Sequence, residues 1–380
     1  MDALTTPSNW QRVRLGDIAE IIGGGTPSTQ ITSFWNGSIN WFTPTEIGIT
    51  KYVYKSQRTI TPLGLKKSSA KLLPIGTILL TSRASIGDCA ILKEVATTNQ
   101  GFQSLIPLEK INNEFLYYLI LTLKNKLLKL ASGSTFLEVS PNKIKNLLIP
   151  LPPLDEQIAI ANILSDLDRY LYSLDALILK KESVKKALSF ELLSQRKRLK
   201  GFNQNWQRVR LGDICEITTG SLDANEMVHY GKYRFYTCAK EYYFIDKYAF
   251  DTEAILISGN GAYVGYVHYY KGKFNAYQRT YVLDNFSEHI IFVKYFLTMF
   301  LQSHIQTNKN EGNTPYIVMA TLKDFEILLP PINEQIAIAN ILSALDSEII
   351  SLKNKKRQFE NIKKALNHDL MSAKIRVLKK

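Results

Sequence analysis

The amino-acid sequence predicts a tandem duplication with two globular mixed α/β (α+β) domains and two long helices that form an antiparallel coiled coil. Two repeated segments support this prediction. The segment LPPLDEQIAIANILSDLD, which begins at Leu151, recurs at Leu329 as LPPINEQIAIANILSALD, with 15 of 18 positions identical. The segment NWQRVRLGDIAEI, which begins at Asn9, recurs at Asn205 with one difference in 13 positions. A period of about 180 residues indicates two copies of one structural unit.

Each proline-led repeat predicts the start of a long helix. Pro-Pro cannot lie inside a helix, and the acidic residues that follow favour a helix N-terminus near Asp155. Leucine and isoleucine then recur at steps of three and four, the spacing of a coiled-coil seam. Each helix should run for roughly 40 residues, or about 60 Å. The predicted seam comprises Leu164, Leu167, Leu171, Leu174, Ile178, Leu188 and Leu192 in the first helix and Leu342, Leu345, Ile349, Leu352, Ile362, Leu366 and Leu370 in the second.

Polar residues flank this seam at both ends of the helices. Those directly after the prolines are expected to cap the helix or to face water, with contact to a partner protein as the alternative; they are Glu156, Gln157, Glu334 and Gln335. The first helix is expected to stop at Gly201, after basic residues that suit the negative end of a helix dipole. These basic residues, which include Arg198, are expected to face water, with contact to DNA as the alternative.

The segments between the repeats predict the two mixed α/β domains. Short β-rich runs punctuated by glycine predict strands around Ile78 and Ile255. Helices are expected from Asn113 and from His289, each packed on the sheet of its own domain. Although the two segments differ in sequence, they align at offsets of 177 or 178 residues through Ile78/Ile255, Gly87/Gly265 and Gln100/Gln278. We place the boundaries at 1–150 and 205–328 for the domains and at 151–204 and 329–380 for the helices.

Composition favours a soluble protein with a polyanionic partner. The net charge is +13 and the pI is about 9.4, which favours a partner such as nucleic acid, with generic solubility as the alternative. The 3 cysteines show no CxxC spacing and predict neither a disulfide framework nor a structural zinc. The first residues lack a secretory signal pattern, and the most apolar run, from His289, is too short to span a bilayer. We therefore expect a cytoplasmic protein with no membrane partner.

No catalytic motif stands out in the sequence. A phosphate-binding GxxxxGK[ST] segment is absent, and the run GNGAYVG at Gly259 fits a hairpin turn better than a dinucleotide-binding loop, because alternating Tyr and Val follow it. The histidines are scattered without metal-ligand spacing. Neither the tetrapeptide typical of DNA amino-methyltransferases nor the acidic cluster of a Mg²⁺-dependent nuclease is found. The sequence therefore predicts a binding protein with no catalytic residues, no metal and no cofactor of its own.

Several motifs resemble one protein family. They are the openings WQRVRLGDI at Trp10 and Trp206, the run GGGTPST at Gly23, WNGSINWFTPTEI at Trp35, LLTSRASIG at Leu79, NQGFQSL at Asn99 and the two proline-led helices. Together they cover nearly the whole chain and resemble the specificity (S) subunits of Type I restriction–modification systems. The second segment departs from the first: it lacks GGTPS and reads AYQRTYVL at Ala276, as in a family whose variable domains read different sequences.

The resemblance implies a prokaryotic, nucleoid-associated DNA-recognition subunit without catalysis. Each variable domain would be a target-recognition domain that reads one half of a bipartite site on double-stranded DNA. Two modification (M) subunits, which bind S-adenosylmethionine and methylate adenine at N6, would dock on the helices. Two restriction (R) subunits, which use ATP and Mg²⁺, would complete the complex. If the domains enter major grooves about 34 Å apart, the unread spacer should be about five to eight base pairs.

Candidate DNA-contacting residues are those that can read bases from loops at the sheet edge. Arg suits guanine, and Asn or Gln suits adenine, because each can form paired hydrogen bonds to one base. In the first domain the candidates are Thr26, Ser28, Trp41, Arg83, Asn99, Gln100, Gln103 and Ser134. In the second they are Asn260, Tyr263, Gln278, Arg279 and Asn313. For each residue, a hydrogen bond within a turn or sheet is the alternative.

Other functions remain open at this point. A coiled-coil structural adaptor would show no sequence-specific protection of DNA. A stand-alone methyltransferase or nuclease would act by itself, and the former would bind S-adenosylmethionine. A free-standing DNA-binding regulator would bind its site tightly without a partner subunit.

Overall fold

The computed structural model describes residue 7 and residues 9–133, 137–308 and 315–377. The chain divides into two compact units. Unit 1 comprises Met1–Asp175 together with Lys355–Lys380, and unit 2 comprises Ala176–Asn354. Each unit therefore contains one mixed α/β domain and one half of each long helix.

Unit 1 contains ten strands and four helices among the described residues. The strands are β1 Gln11–Arg14, β2 Ala19–Gly23, β3 Trp35–Phe42, β4 Tyr52–Val53, β5 Arg58–Ile60, β6 Ile78–Leu80, β7 Cys89–Leu92, β8 Ala96–Thr98, β9 Gln103–Pro107 and β10 Leu148–Leu151. The helices are α1 Pro62–Lys66, α2 Asn113–Leu130, α3 Pro141–Lys145 and the first half of α4 Leu154–Leu193. The last part of a further long helix, described below, completes the unit.

The strands of unit 1 form three sheets. A five-stranded sheet has the order β2-β9-β6-β7-β4, a three-stranded sheet has the order β5-β3-β8, and β1 pairs with β10. Helix α2 covers the five-stranded sheet, and Phe115 and Tyr118 share a core with Ile78 and Ile91. The strand predicted around Ile78 and the helix predicted from Asn113 are confirmed.

Unit 2 contains eight strands among the described residues. They are β11 Gln207–Arg210, β12 Glu216–Thr219, β13 Tyr233–Tyr236, β14 Tyr243–Ile245, β15 Phe250–Ser258, β16 Val267–Ala276, β17 Thr280–Asp284 and β18 Glu326–Leu329. Six of them form one sheet in the order β12-β17-β15-β16-β13-β14, and β11 pairs with β18. The helices are α5 Ile290–Asn308, α6 Met319–Lys323 and part of α7 Ile332–Met371. The antiparallel pair β15–β16 flanks the segment at Gly259, which confirms the predicted hairpin.

Helices α4 and α7 each run for 40 residues, which confirms the predicted length. In unit 1, the first half of α4 packs antiparallel on the last half of α7, and the rings of Tyr170 and Phe359 lie 4.8 Å apart. In unit 2, the second half of α4 packs antiparallel on the first half of α7. There, ion pairs join Lys181 to Glu348 at 2.8 Å and Lys353 to Glu182 at 2.6 Å.

Most predicted seam residues lie between the paired helices and their domains. The buried ones are Leu164, Leu174, Ile178, Leu192, Leu342, Ile349 and Leu370. The partly buried ones are Leu167, Leu171, Leu188, Leu345, Leu352 and Leu366. The assignment of Ile362 to the seam is wrong, since its side chain is 43% exposed. Its neighbour Lys363 turns inward instead, because its ammonium pairs with the carboxylate of Asp168.

A tyrosine, an aspartate and a lysine form the same polar cluster in each unit. In unit 2, the Tyr295 hydroxyl donates a hydrogen bond to Asp346 at 2.6 Å, and Lys185 forms an ion pair with the same carboxylate. In unit 1, Tyr118 and Lys363 contact Asp168 in the same way. Each cluster ties the helix of the α/β domain to the paired long helices.

The predicted stop of the first helix at Gly201 is wrong. Helix α4 ends at Leu193, and Gln195 then adopts a left-handed backbone with φ of 62°. Ala373 adopts the same conformation, with φ of 58°, directly after α7. Helix α4 therefore ends before Gly201, the residue that the sequence indicated as its stop.

The polar residues at the start of α7 are buried within unit 2. The Glu334 carboxylate is fully buried and accepts hydrogen bonds from Arg198 Nε at 2.8 Å, Arg198 Nη2 at 2.7 Å and Trp206 Nε1 at 3.2 Å. The Gln335 amide accepts from the His289 backbone N–H at 3.0 Å and donates to the Pro330 carbonyl at 2.8 Å. The expected solvation of Arg198 and the expected capping or solvation of Glu334 are wrong, because these groups join the helix to its domain.

Unit 1 repeats this arrangement at the start of α4. Glu156 accepts hydrogen bonds from Trp10 Nε1 at 3.1 Å and from Arg376 Nε at 2.8 Å. The Gln157 amide accepts from the Asn112 backbone N–H at 2.9 Å and donates to the Pro152 carbonyl. Both side chains are buried, so the capping or solvation role expected for them is also wrong. The repeated motifs WQRV and PPxxEQ therefore form the same internal contact in each unit.

Helix α7 is long and apolar enough, by length and composition alone, to cross a membrane. Its apolar residues have another explanation. Ile338, Ala339 and Leu342 lie in the hydrophobic core of unit 2 with Leu211 and Phe292. The composition of α7 is accordingly that of a helix which packs on a domain.

Candidate nucleic-acid interface

Three loops of unit 1 meet at one end of its sheets. Strands β3 and β8 run parallel and end side by side, with Phe42 opposite Thr98. The next residue, Asn99, donates its backbone N–H to the Phe42 carbonyl at 3.1 Å. The loop after β6 joins them, because Ser82 donates its backbone N–H to the Gly101 carbonyl at 2.8 Å. Side chains from distant parts of the sequence are thereby brought together.

Three of the residues predicted from the sequence lie in these loops, and a fourth, Thr26 in the loop after β2, contacts them. The Thr26 hydroxyl donates a hydrogen bond to Gln100 Oε1, and both side chains are exposed. Asn99 Oδ1 accepts the Gly101 backbone N–H at 2.8 Å, which shapes the turn. Arg83 forms an ion pair with Glu138 at 2.8 Å, so its charge is already partly balanced. The Thr26 contact uses only Oε1 of Gln100, so the exposed NH₂ group of this side chain can donate hydrogen bonds to a ligand.

The other predictions in unit 1 have different surroundings. Trp41 is 3% exposed, and its indole N–H donates to the Gly25 carbonyl at 2.9 Å, so the ring supports the loop from below. Gln103 is also buried, beside Gly23 in the neighbouring strand. The Ser28 carbonyl accepts the Trp35 indole N–H at 3.0 Å, and Ser28 itself is exposed. Ser134 lies outside the described residues.

Unit 2 builds the same loop framework from different residues. Tyr277 donates its backbone N–H to the Tyr236 carbonyl at 2.9 Å, as Asn99 does in unit 1. Gly259 donates to the Arg279 carbonyl at 2.8 Å, as Ser82 does to Gly101. These equivalent bonds confirm that the two domains share a fold at this end.

The side chains in this part of unit 2 are more aromatic and more basic. Gln278 and Arg279 are exposed, and Asn260 and Tyr263 lie in the adjoining hairpin turn. Lys240 places its ammonium 5.1 Å from the centre of the Tyr263 ring, which suits a cation–π contact. No sequence signal marks Lys240, since 23 residues separate it from its partner. Asn313 lies outside the described residues.

Burial shifts the pKa of two titratable groups near these loops. Burial lowers the pKa of His268, while its hydrogen bond to the Ala239 carbonyl at 2.9 Å acts in the opposite direction. Burial also raises the pKa of Tyr281, whose hydroxyl donates to the Ile317 carbonyl at 2.9 Å. Across the described ranges, no group of three or more His, Cys, Asp and Glu side chains is placed to hold a metal ion.

One glycine in each unit allows the loops to approach closely. A Cβ atom on Gly24 would lie 1.9 Å from the Asn99 carbonyl oxygen, and one on Gly220 would lie 1.8 Å from the Ala276 carbonyl oxygen. Side chains at these positions would collide with backbone, so only glycine fits. Gly24 and Gly220 are separated by 196 residues, the offset of the N-terminal repeat. The second domain therefore keeps this contact although it lacks the GGTPS run.

Comparison with known proteins identifies the family. The Type I restriction modification DNA specificity domain matches residues 7–181 and again residues 203–361. The chain belongs to this family. It is 30% identical to the Type I restriction enzyme MjaIX specificity subunit of Methanocaldococcus jannaschii, over 98% of this chain and 94% of that protein. The resemblance deduced from the repeated motifs is confirmed.

Two solved structures share the fold of this specificity subunit. The S subunit of a Type I restriction–modification system from M. genitalium is 18% identical, with a TM-score of 0.64 and 97% of each chain covered. A chain from a study of complex assembly and conformational transition of the type I R-M system is also 18% identical, with a TM-score of 0.61 over 97% of this chain and 99% of that chain. Family and fold together make this chain a DNA-recognition specificity subunit.

Proposed function

We propose that each unit of this specificity subunit reads one half of a bipartite site on double-stranded DNA. The supporting observation is that both units use the same backbone bonds to position their loops while the side chains on those loops differ. A shared framework with different donors and acceptors suits two domains that read different bases. In this proposal, residues 1–150 and 205–328 are the target-recognition domains, and 151–204 and 329–380 are the conserved helical regions.

The DNA-contacting set that we propose is narrower than the sequence alone indicates. Its members are exposed or partly exposed in the two loop frameworks: Thr26, Ser28, Arg83, Asn99, Gln100, Asn260, Tyr263, Gln278 and Arg279. Trp41 and Gln103 are left out as direct contacts, because their side chains are buried beneath the loops. Lys240 is added, since its ammonium lies beside Tyr263.

We further propose that two modification subunits dock on the repeated helices and that two restriction subunits join the larger complex. The modification subunits would bind S-adenosylmethionine and methylate adenine at N6, and the restriction subunits would use ATP and Mg²⁺. This chain would supply no catalysis and bind none of these cofactors. The complex would act in the prokaryotic cytoplasm on nucleoid DNA. The near-identity of the two helix starts supports this proposal, since it includes the exposed pair Ile158 and Ile336 and two copies of one partner need two similar surfaces.

The helices would also set the spacer between the half-sites. Seven residues inserted after Asp175 in α4 and seven after Asn354 in α7 fall at the borders of the two units and leave both cores unchanged. One heptad adds about 10 Å, which corresponds to about three base pairs of B-DNA. The matched pair of insertions should lengthen the spacer and keep both half-sites. An insertion in α4 alone should abolish methylation, and an unchanged spacer in the matched variant would contradict the proposal.

The decisive experiment is single-molecule sequencing of DNA from cells that express this chain with the Type I modification subunit of its own locus. We expect a bipartite N6-methyladenine motif with a fixed spacer. If the two proteins co-purify and no motif appears, the chain is a structural adaptor, a damaged specificity subunit or one that lacks its proper partner. If the isolated chain alone binds one site tightly, it acts as a free-standing regulator.

A further inference from the structure

The second unit preserves one exposed residue of the first where almost everything around it has changed. Residues 96–104 read ATTNQGFQS, and the equivalent residues 274–282 read FNAYQRTYV. Gln100 and Gln278 are the single identity in these nine aligned positions. The next identity along the chain is Leu105 with Leu283, and both of these leucines are fully buried. Packing explains the leucines but does not explain two exposed glutamines.

The two glutamines occupy the same place in the loop framework. The residue before each one donates its backbone N–H across the sheet, from Asn99 to Phe42 at 3.1 Å and from Tyr277 to Tyr236 at 2.9 Å. The carbonyl of the residue after each one accepts a backbone N–H at 2.8 Å from the loop after the central strand. Each glutamine is therefore fixed on both sides, and its side chain is exposed.

A shared internal hydrogen bond does not account for the identity. Gln100 Oε1 accepts the hydroxyl of Thr26, but the equivalent of Thr26 in the N-terminal repeat is Leu222, which has no hydroxyl. Leu222 contacts the loop through its backbone, where its carbonyl accepts the Gln278 N–H at 2.9 Å. Within the described part of the chain, the Gln278 amide group has no hydrogen-bond partner. The two glutamines thus share an exposed side-chain amide and a backbone that hydrogen bonds hold in place.

We propose that Gln100 and Gln278 read the same base, an adenine, at the corresponding place in each half-site. This inference rests on the proposed function. A glutamine amide can donate to N7 and accept from N6 of adenine in the major groove, and this pairing is unique to that base. Because the frameworks and the helices are both duplicated, the two adenines lie on equivalent strands at the same distance from the methylated adenine of their own half-site.

The residues beside the two glutamines account for the difference between the half-sites. Gly101 follows Gln100, whereas the exposed Arg279 follows Gln278. An arginine at this position can pair with O6 and N7 of guanine, and glycine has no group to do so. The second half-site therefore carries a guanine next to its shared adenine, and the first half-site is free of that requirement.

The test compares the methylated motif of the unaltered subunit with those of Gln100→Ala and Gln278→Ala, each co-expressed with the modification subunit. Each variant should lose preference for adenine at one position, on the order of 5- to 150-fold, in its own half-site only. Gln278→Glu should move the preference at that position from adenine to cytosine, since a carboxylate accepts the cytosine N4 amino group. Gln11→Ala and Gln207→Ala are matched controls, because these glutamines are also exposed and equivalent but lie in β1 and β11.

The outcomes separate this inference from the proposed function. Relaxation at corresponding positions in the two half-sites, with unchanged motifs in both controls, supports the shared reading position. Relaxation at positions that do not correspond, or a uniform loss of methylation with an unchanged motif, would overturn it. If the unaltered subunit yields a bipartite motif and neither glutamine affects it, the proposed function stands and the inference fails. If the unaltered subunit yields no motif, both fail.

Discussion

Removal of the buried carboxylate at the start of α7 should destabilise unit 2 strongly. Glu334→Ala leaves the Arg198 guanidinium and the Trp206 indole N–H without their acceptor. Breaking a buried ion pair from one side costs about 3–5 kcal/mol, because the remaining charge stays desolvated. The Arg198 side chain is 29% exposed and can reach water, so we expect the lower end of this range, about 3 kcal/mol.

Hydrogen exchange at the backbone amides of β11 and β18 measures this loss. It reports the opening of one unit, whereas a single global unfolding transition is not assured in a chain of two units. Glu326→Ala is the matched control, because Glu326 pairs with Arg208 at a similar distance of 2.7 Å but on the surface. Exposed pairs contribute about 1 kcal/mol or less. Equal losses of protection in the two variants would refute the view that burial of Glu334 makes its pair important.

Asp346, Gly220 and Arg279 give three further predictions. Burial alone would raise the pKa of Asp346, but hydrogen bonds from Lys185 and Tyr295 outweigh it and lower the pKa. The ionised carboxylate should therefore stabilise unit 2 above its unfolded-state pKa of about 3.9, and this stability should be lost as the pH falls through its lower, folded-state pKa. Asp346→Asn should remove this acid-sensitive part of the stability, as measured by denaturation at a series of pH values. Gly220→Ala should push the loop after β12 away from Ala276 and abolish methylation at sites of the unaltered motif, as measured by methylation sequencing; full methylation would contradict the close approach. Arg279→Ala should cost about 1–3 kcal/mol at the guanine beside the shared adenine of the second half-site, and a uniform loss across sequences in DNA-binding assays would instead mark a phosphate contact.

The repeats made most of the fold predictable. Two nearly identical helix starts and two nearly identical segments at Asn9 and Asn205 indicated the duplication, and hydrophobic spacing predicted helices of the observed length. Strands around Ile78 and Ile255 could be located because short β-rich runs are punctuated there by glycine. These features depend on local sequence, which is why a single sequence was sufficient.

Contacts between distant residues could not be predicted in this way. Ile362 fits the heptad spacing, but Lys363 takes the inward place because Asp168 lies opposite it. Arg198 looks like a solvated helix end until the fold places Glu334 beside it. Trp41 and Gln103 lie within motifs that point to DNA contact, yet their burial depends on how the strands align. Such roles follow from tertiary neighbours that spacing does not reveal.

The division of the long helices between the units has a consequence for the synthesis of the protein on the ribosome. Leu370 and Met371 belong to the same hydrophobic core as Trp10 and Leu15, so the core of unit 1 needs residues that follow all those of unit 2 in the sequence. During translation, unit 2 has all of its residues after Asn354, whereas unit 1 still lacks part of its core. Of the two units, unit 1 therefore begins to emerge before unit 2 and completes its core after it. A chain that stops before α7 is complete therefore leaves exposed the apolar surface that Leu370 covers.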